Sequence, residues 1–309
     1  MALFGPLTSL DPTLVAKVEA FTARVGPRVG HTPLADDEWR RLATGGSGDL
    51  VAAGAVAGDG GPVTAYAQLV RSPADPTWLA EVLVPVAESG ALADVGAPLL
   101  TRCLHGAADL GGGDVHLWAA GATAAHAELA ARAGLAPYRA LHQMERPLPV
   151  EERTDLVTRG FRPDDLDAVV EVNRLAFAHH PAQGDMTRAM FEERMAEPWF
   201  DPEGLRIVDL DGRVAGFCWT KLFTWETPVL GEIHVICVHP DFAGRHLGRG
   251  LVLAGLQHLH ATGATVGMLF VEADNDAALE LYRKLDFVVV RTDRAFATTV
   301  RASVPPSDR

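Results

Sequence analysis

Residues 231–250 constrain the fold more than any other stretch of this chain. They read Gly-Glu-Ile-His-Val-Ile-Cys-Val-His-Pro, then Asp-Phe-Ala-Gly, then Arg245-His246-Leu247-Gly248-Arg249-Gly250, and run straight into the apolar residues 251–256. A strand, a glycine-bearing turn and a helix start in this order form an anion cradle. The first N–H groups of a helix have no partner within it, and the helix dipole adds to their pull on negative charge. Gly248 and Gly250 let the backbone come close to a ligand, and Arg245 and Arg249 can supply compensating charge.

The surrounding order of elements occurs twice. In the second half the pattern predicts a helix over about 163–177, a helix ending near Glu197 and a hairpin around Asp211-Gly212. The acidic strand, the loop and its helix follow, then a strand over 267–272, a helix carrying Tyr282 and a last strand over 288–296. The first half offers a helix over 13–25 behind Asp11-Pro12, a second helix opening near Leu34, and strands over 50–57 and 63–70. A strand over 78–86, a helix over about 96–109, a strand over 114–118, a helix over 124–133 and a strand over 138–144 complete it. Ala80-Glu81-Val82 aligns with Gly231-Glu232-Ile233, and Ala133-Gly134-Leu135 with Leu285-Asp286-Phe287. Pro147 to Arg153 has the composition of a linker.

The two halves are not equally equipped. Opposite the Arg245–Gly250 loop, the first half has Glu88-Ser89-Gly90-Ala91-Leu92-Ala93-Asp94, whose carboxylates repel an anion. Opposite Tyr282 it has Ala130. The chemistry is therefore expected in the second half.

Charge and composition exclude several function classes. The 309 residues carry a net charge of −13, which disfavours nucleic acid as a partner. No stretch is long and apolar enough for a membrane span, and no leader pattern opens the chain. Three cysteines without metal or redox spacing suit a reducing compartment, so a cytoplasmic protein is expected. His258 and His260 stand two apart on a predicted helix and face away from each other, so no metal is expected.

Arg245-x-x-Gly248-x-Gly250 resembles the acetyl-CoA loop of the GNAT superfamily of N-acetyltransferases, and residues 275–287 resemble its later helix with a tyrosine before a Gly-Phe turn, the glycine here being Asp286. Further matches narrow the resemblance. Residues 173–184 (Asn-Arg-Leu-Ala-Phe-Ala-His-His-Pro-Ala-Gln-Gly), 199–205 (Trp-Phe-Asp-Pro-Glu-Gly-Leu) and 216–221 (Gly-Phe-Cys-Trp-Thr-Lys) resemble signatures of the mycothiol synthase family, as do Gly231-Glu232 and residues 271–275. The chain departs from that family at Ala182, Phe270 and Ala273, where carboxylate, tyrosine and serine are usual.

The resemblance implies an α/β (α+β) chain of two tandem GNAT domains, each a mixed, strongly twisted central sheet flanked by helices. The expected boundaries are a degenerate N-terminal domain over 1–147, a linker over 148–157, a catalytic domain over 158–300 and a tail over 301–309. It implies acetyl transfer from acetyl-CoA to the cysteinyl amine of a cysteine–glucosamine–inositol conjugate, by direct attack in a ternary complex of a monomeric enzyme. Glu232 stands at the family's base and Tyr282 at its acid.

The cofactor would be held by Ile236, Cys237 and Val238 of the strand, by Ala243, Gly244, Arg245, His246, Leu247, Gly248, Arg249 and Gly250 of the loop, and by Asn275 and Ala278. Lys221, Glu232 and Phe270 stand at substrate-contacting positions. So does Asp36, which also reads as an exposed acid near a helix start. An acyl-cysteine on Cys237 is disfavoured, since isolated cysteines are commonly small buried hydrophobes. Two other readings stay open: a GNAT enzyme for another small amine or a peptide amine, and a non-catalytic acetyl-CoA sensor. Having both Glu232 and Tyr282 argues against the sensor.

Overall fold

The computed structural model describes residues 2–29, 49–58, 60–72, 75–85, 92–178, 184–224 and 226–303. In chain order the elements are β1 (Ala2–Leu7), α1 (Pro12–Val29), β2 (Leu50–Val56), β3 (Val63–Ser72), β4 (Asp75–Leu83), α2 (Ala97–Asp109), β5 (Gly113–Ala119), α3 (Ala124–Arg132) and β6 (Ala136–Pro147). There follow α4 (Leu166–Ala176), α5 (Arg188–Met195), β7 (Leu205–Leu210), β8 (Arg213–Phe223), β9 (Leu230–Val238), α6 (Leu247–Ala261), β10 (Val266–Glu272), α7 (Asp276–Arg283) and β11 (Val288–Val300). They divide into two units, residues 1–141 with 291–309, and residues 142–290. The expected linker 148–157 lies inside the second unit, where the Leu148 N–H donates to the Thr265 carbonyl at 2.9 Å.

In the first unit the strand order is β1-β2-β3-β4-β5-β11. The first four are antiparallel neighbours, β4 and β5 are parallel, and β11 runs antiparallel to β5 from Arg294↔Ala119 to Val300↔Gly113. The sequence suggests that each half closes on its own last strand. Instead the end of the chain closes the first unit, because Phe296 is buried among Val115, Leu117 and Trp78. The sheet of this unit is buried on both faces at β2, whose residues 50–55 are all covered. Val51 and Ala53 lie in the cluster with α2 and α3, and Leu50 and Ala52 in the one with α1. Asp11 caps α1 as expected, its Oδ1 accepting from the Leu14 N–H at 3.0 Å. Strand β1 is not foreseen, because Gly5-Pro6 in its middle reads as a break.

In the second unit the order is β6-β10-β9-β8-β7. β7/β8 and β8/β9 are antiparallel, β9/β10 parallel. Asp211 (φ 52°) and Gly212 (φ 74°) make the tight turn of the β7/β8 hairpin. One face of this sheet packs on α6 and α7 through Ile233, Leu251, Leu256, Leu269, Leu279 and Tyr282. The other packs on α4 and α5 through Val169, Phe191, Phe217, Trp219 and Val235. Among the described residues no helix is long and apolar enough to cross a membrane.

The repeat survives down to single hydrogen bonds. After α7 the chain turns through Asp286 at φ 59°, with Phe287 N–H on the Tyr282 carbonyl at 3.0 Å and Asp286 N–H on Arg283 at 3.0 Å. After α3 it turns through Gly134 at φ 80°, with Leu135 N–H on Ala130 at 2.8 Å and Gly134 N–H on Ala131 at 3.1 Å. Both are left-handed helix ends of one design. Asp tolerates that conformation, but glycine adopts it without a Cβ penalty. We expect Asp286→Gly to raise stability by about 0.5–1 kcal/mol. Gly134→Ala should lower it by about 1 kcal/mol, since no atom lies within 4 Å of the added Cβ and the cost is conformational alone. Denaturant midpoints of the two variants check both.

Candidate functional site

Two irregularities of β9 shape the site. The first is its register with β8, which pairs Thr220 with Ile233 but Trp219 with Val235, so His234 is an extra residue in the strand. Such a bulge bends the strand and turns neighbouring side chains to one face. Ile233 lies on the α6/α7 face and Val235 on the α4/α5 face, although two residues apart they would ordinarily share one. The second is the parallel register with β10, which ends at Ile233↔Leu269 while β9 continues to Val238 and β10 to Glu272. Beyond that point the two strands part. Ile236, Cys237 and Val238 keep their β8 register and lie along one arm of the fork. Phe270, on the other arm, is the first residue after the pairing stops.

On the α4/α5 face at the base of the fork stands a compact group of side chains. Glu232 is buried, 9 % exposed, and its cross-strand neighbour on β8 is Lys221. The Lys221 ammonium lies 4.6 Å from the Trp199 ring centroid and 5.1 Å from that of Phe223, a cation held by two aromatic faces. His234 places Nδ1 3.3 Å from Glu232 Oε1, and its ring meets Trp199 and Trp219 edge-on at 5.3 and 5.8 Å.

The anion cradle lies at the start of α6. Gly244 (φ 76°) and His246 (φ 58°) turn the loop so that α6 begins at Leu247. His246 offers no side-chain hydrogen bond to the helix end, and the first turn carries no acid. Those N–H groups are therefore left to an anion. The two glycines differ in what they face. A Cβ on Gly248 would meet only Leu281 Cδ2, at 3.8 Å, so its surface is open. A Cβ on Gly250 would stand 2.8 Å from Leu156 Cδ2 and 3.0 Å from Thr154 Oγ1, so that glycine serves packing.

The arginines are committed differently from the expectation of two free charges. Arg249 pairs with Glu152, and Arg245 lies over the Phe242 ring with its guanidinium 3.7 Å from Asp211. Ala243 precedes Gly244 in the loop with its N–H on the Pro240 carbonyl at 3.0 Å, and Leu247 turns its side chain into the core. The residues fit a diphosphate, held chiefly by backbone N–H groups.

Tyr282 sits on the opposite face of the sheet from Glu232, in the cluster with Ile233 and Val271 and edge-on to Phe287 at 5.8 Å. Burial, with a smaller contribution from Cys218, pushes its hydroxyl well above the usual tyrosine range, so it keeps its proton. Asn275 caps α7 through Oδ1, which accepts from the Ala278 N–H at 3.1 Å. Cys237 is fully buried, and desolvation drives its thiol well above the ordinary value. Cys218 is pushed up to about 12 by the same cause. Both are unreactive thiols. Asp36 and Ala182 lie outside the described residues. Among the described residues no cluster of metal-ligating side chains occurs.

The first unit repeats the fork without its equipment. β4 pairs with β5 only as far as Ala80↔Leu117, yet β4 runs to Leu83 and β5 to Ala119. The register of β3 with β4 is unbroken from Val70↔Leu79 to Tyr66↔Leu83, so Glu81 has no bulge beside it. Asp94 is held by Arg132 at 2.6 Å, and Ala130 takes the place of Tyr282.

Sequence reasoning passed over His234 and Trp199 as site residues. The nearness of His234 to Glu232 is hinted at by their two-residue spacing on one strand. Trp199 opens the Trp-Phe-Asp-Pro-Glu-Gly-Leu segment, but nothing in that local pattern places it beside Lys221 and His234.

The comparisons with known proteins agree with this geometry. Residues 169–287 match the acetyltransferase (GNAT) family. A protein of Streptomyces coelicolor named mycothiol acetyltransferase is 39 % identical over 248 residues, 78 % of this chain and 77 % of its own. One of the same name from Rhodococcus jostii is 36 % identical over 300 residues, 93 % of this chain and 96 % of its own. Among solved structures, a tandem GNAT protein from the clavulanic acid biosynthesis pathway superposes with a TM-score of 0.60 over 98 % of this chain and 100 % of its own, at 18 % identity, a likeness of fold. Identity above a third over nearly the whole length, on a fold of two GNAT units, places this chain in the mycothiol acetyltransferase family.

Proposed function

We propose that the second unit transfers the acetyl group of acetyl-CoA directly to the cysteinyl amine of a cysteine–glucosamine–inositol conjugate, with Glu232 as base and Tyr282 as acid. The observation that carries this reading is the fork between β9 and β10, with a carboxylate on one face and a protonated phenol on the other. A thioester arm lying in the fork, its diphosphate on the N–H groups of α6, meets the amine from the side of Glu232. Its sulfur then lies toward Tyr282.

The neutral amine attacks the thioester carbonyl. The C–N bond forms and the C–S bond breaks. The amine proton passes to the Glu232 carboxylate, directly or through water, and the Tyr282 hydroxyl donates to the departing thiolate. Backbone N–H groups of Ile236, Cys237 and Val238 align the arm and polarise the carbonyl oxygen. Lys221 and Phe270 line the approach of the acceptor. An α-amine has a pKa of about 8, so a carboxylate suffices as its base near neutrality. The enzyme acts as a monomer in the cytoplasm, in keeping with three free, buried cysteines.

The deciding experiment follows free CoA with the conjugate as acceptor, beside spermine and a peptide amine. Turnover on the conjugate alone supports the reading. Turnover on another amine, or acetyl-CoA binding without turnover, overturns the acceptor or the enzymatic reading respectively. Glu232→Gln and Tyr282→Phe should each lower kcat by about 10²-fold or more, with the KM for acetyl-CoA little changed.

Because its folded-state pKa lies above the ordinary 10.0, Tyr282 remains the protonated acid as pH rises through that value. Activity should therefore show no alkaline loss from this group up to about pH 10. A kcat–pH profile checks this, and a loss with a midpoint below pH 9 that Tyr282→Phe abolishes would count against it.

The two glycines separate binding from packing. Gly248→Ala should raise the KM for acetyl-CoA while leaving stability equal or higher by up to about 1 kcal/mol, since alanine is the better helix former. Gly250→Ala should lower stability through its clash with Leu156. Acetyl-CoA titrations and thermal midpoints of both variants distinguish the two effects.

A further inference from the structure

We infer that His234 is a positioning residue for Glu232: an imidazole with a proton on Nδ1 that holds the carboxylate at the mouth of the fork. The inference rests on the reading of Glu232 as the base. A carboxylate accepts hydrogen bonds and donates none, so the contact between Nδ1 and Glu232 Oε1 at 3.3 Å requires the proton on Nδ1. In the neutral ring Nε2 is then a bare acceptor. That atom is buried and has no hydrogen-bond partner among the described residues.

A histidine kept only to fill the space between Trp199 and Trp219 would be a poor choice. Leaving a polar atom buried and unpaired costs roughly 1–3 kcal/mol, which a phenylalanine of similar shape avoids. The imidazole is therefore explained by what its other nitrogen does. The bulge supports the same conclusion. It leaves His234, which strand alternation places on the face of Glu232, as the unpaired residue directly beyond Ile233, where pairing with β10 stops. The two indoles meet the ring edge-on at 70° and 90°, fixing its plane from two sides. One carboxylate oxygen is thereby engaged by a fixed donor, and the second is left to receive the amine proton. The first unit has the matching acid, Glu81, but neither bulge nor histidine beside it.

The test compares steady-state kinetics of Glu232→Gln, His234→Phe and His234→Asn in the full chain, with ¹⁵N spectra of the wild-type histidines assigned through the His234→Asn spectrum. His234→Phe keeps the shape and removes the donor. It should lower kcat by about 10²-fold, the scale of a misplaced catalytic group, with the KM for acetyl-CoA within about twofold. Asparagine can present its amide N–H near the position of Nδ1, so His234→Asn should recover about tenfold or more of that loss. The wild-type shifts should report a protonated Nδ1.

A wild-type kcat in His234→Phe, with Glu232→Gln strongly impaired, overturns the role of His234 and leaves the base reading intact. A wild-type kcat in Glu232→Gln overturns the base reading itself. Equal loss in the phenylalanine and asparagine variants with matching falls in thermal midpoint would make His234 a packing residue. If neither variant folds, a bare Nδ1 in the wild-type spectrum still overturns the assignment.

Discussion

The parting of two parallel strands is the constraint on which the second unit depends. β9 and β10 share a ladder only to Ile233↔Leu269, and beyond it each strand has one edge without a ladder partner from the other. An unpaired strand edge buried in a sheet is costly unless something takes its N–H and C=O groups. An extended group that carries amides can take them, and the fork between β9 and β10 leaves such an edge open. The separation of the phenol from the carboxylate follows. Tyr282 is fixed in the α6/α7 core and Glu232 on the α4/α5 side, so the two groups belong to different layers.

The bulge at His234 converts this opening into a site. Without it, strand alternation would place Val235 and Cys237 on the face of Ile233, and the packing against α4 and α5 would be lost. The extra residue restores the inward face beyond the fork while adding the imidazole of His234 beside Glu232. The first unit shows the sheet without the insertion. Its fork is present, its acid is present, and an alanine and an uninterrupted register stand where the chemistry would be. Shared topology without shared equipment is the expected relation of fold to function.

Much of this was legible in the sequence, for identifiable reasons. The strand–loop–helix of residues 231–256 was readable because each part carries a local signal: alternation, glycine, then an apolar helical run. The helix end at Asp286 was readable because Asp286 stands at the glycine of a Gly-Phe turn and Asp tolerates the left-handed conformation, here φ 59°. What stayed hidden is non-local. The commitment of Arg249 to Glu152 joins residues 97 positions apart, and the Lys221–Trp199 contact depends on how a loop returns to the sheet. The bulge was hidden for another reason. It is a property of the pairing of two strands, and neither strand's own sequence announces it.

The strand that closes the first sheet lies at the far end of the chain, with β11 laid against β5 across nearly two hundred residues. During synthesis, a domain normally folds once its own segment has left the ribosome, the N-terminal one first. Here the first unit must wait with β5 uncovered on that side until the whole second unit has been made and residues 291–300 emerge. In the second unit β7 to β10 are all encoded before that point. A premature stop just short of residue 291 therefore removes most of β11 from the unit at the beginning of the chain.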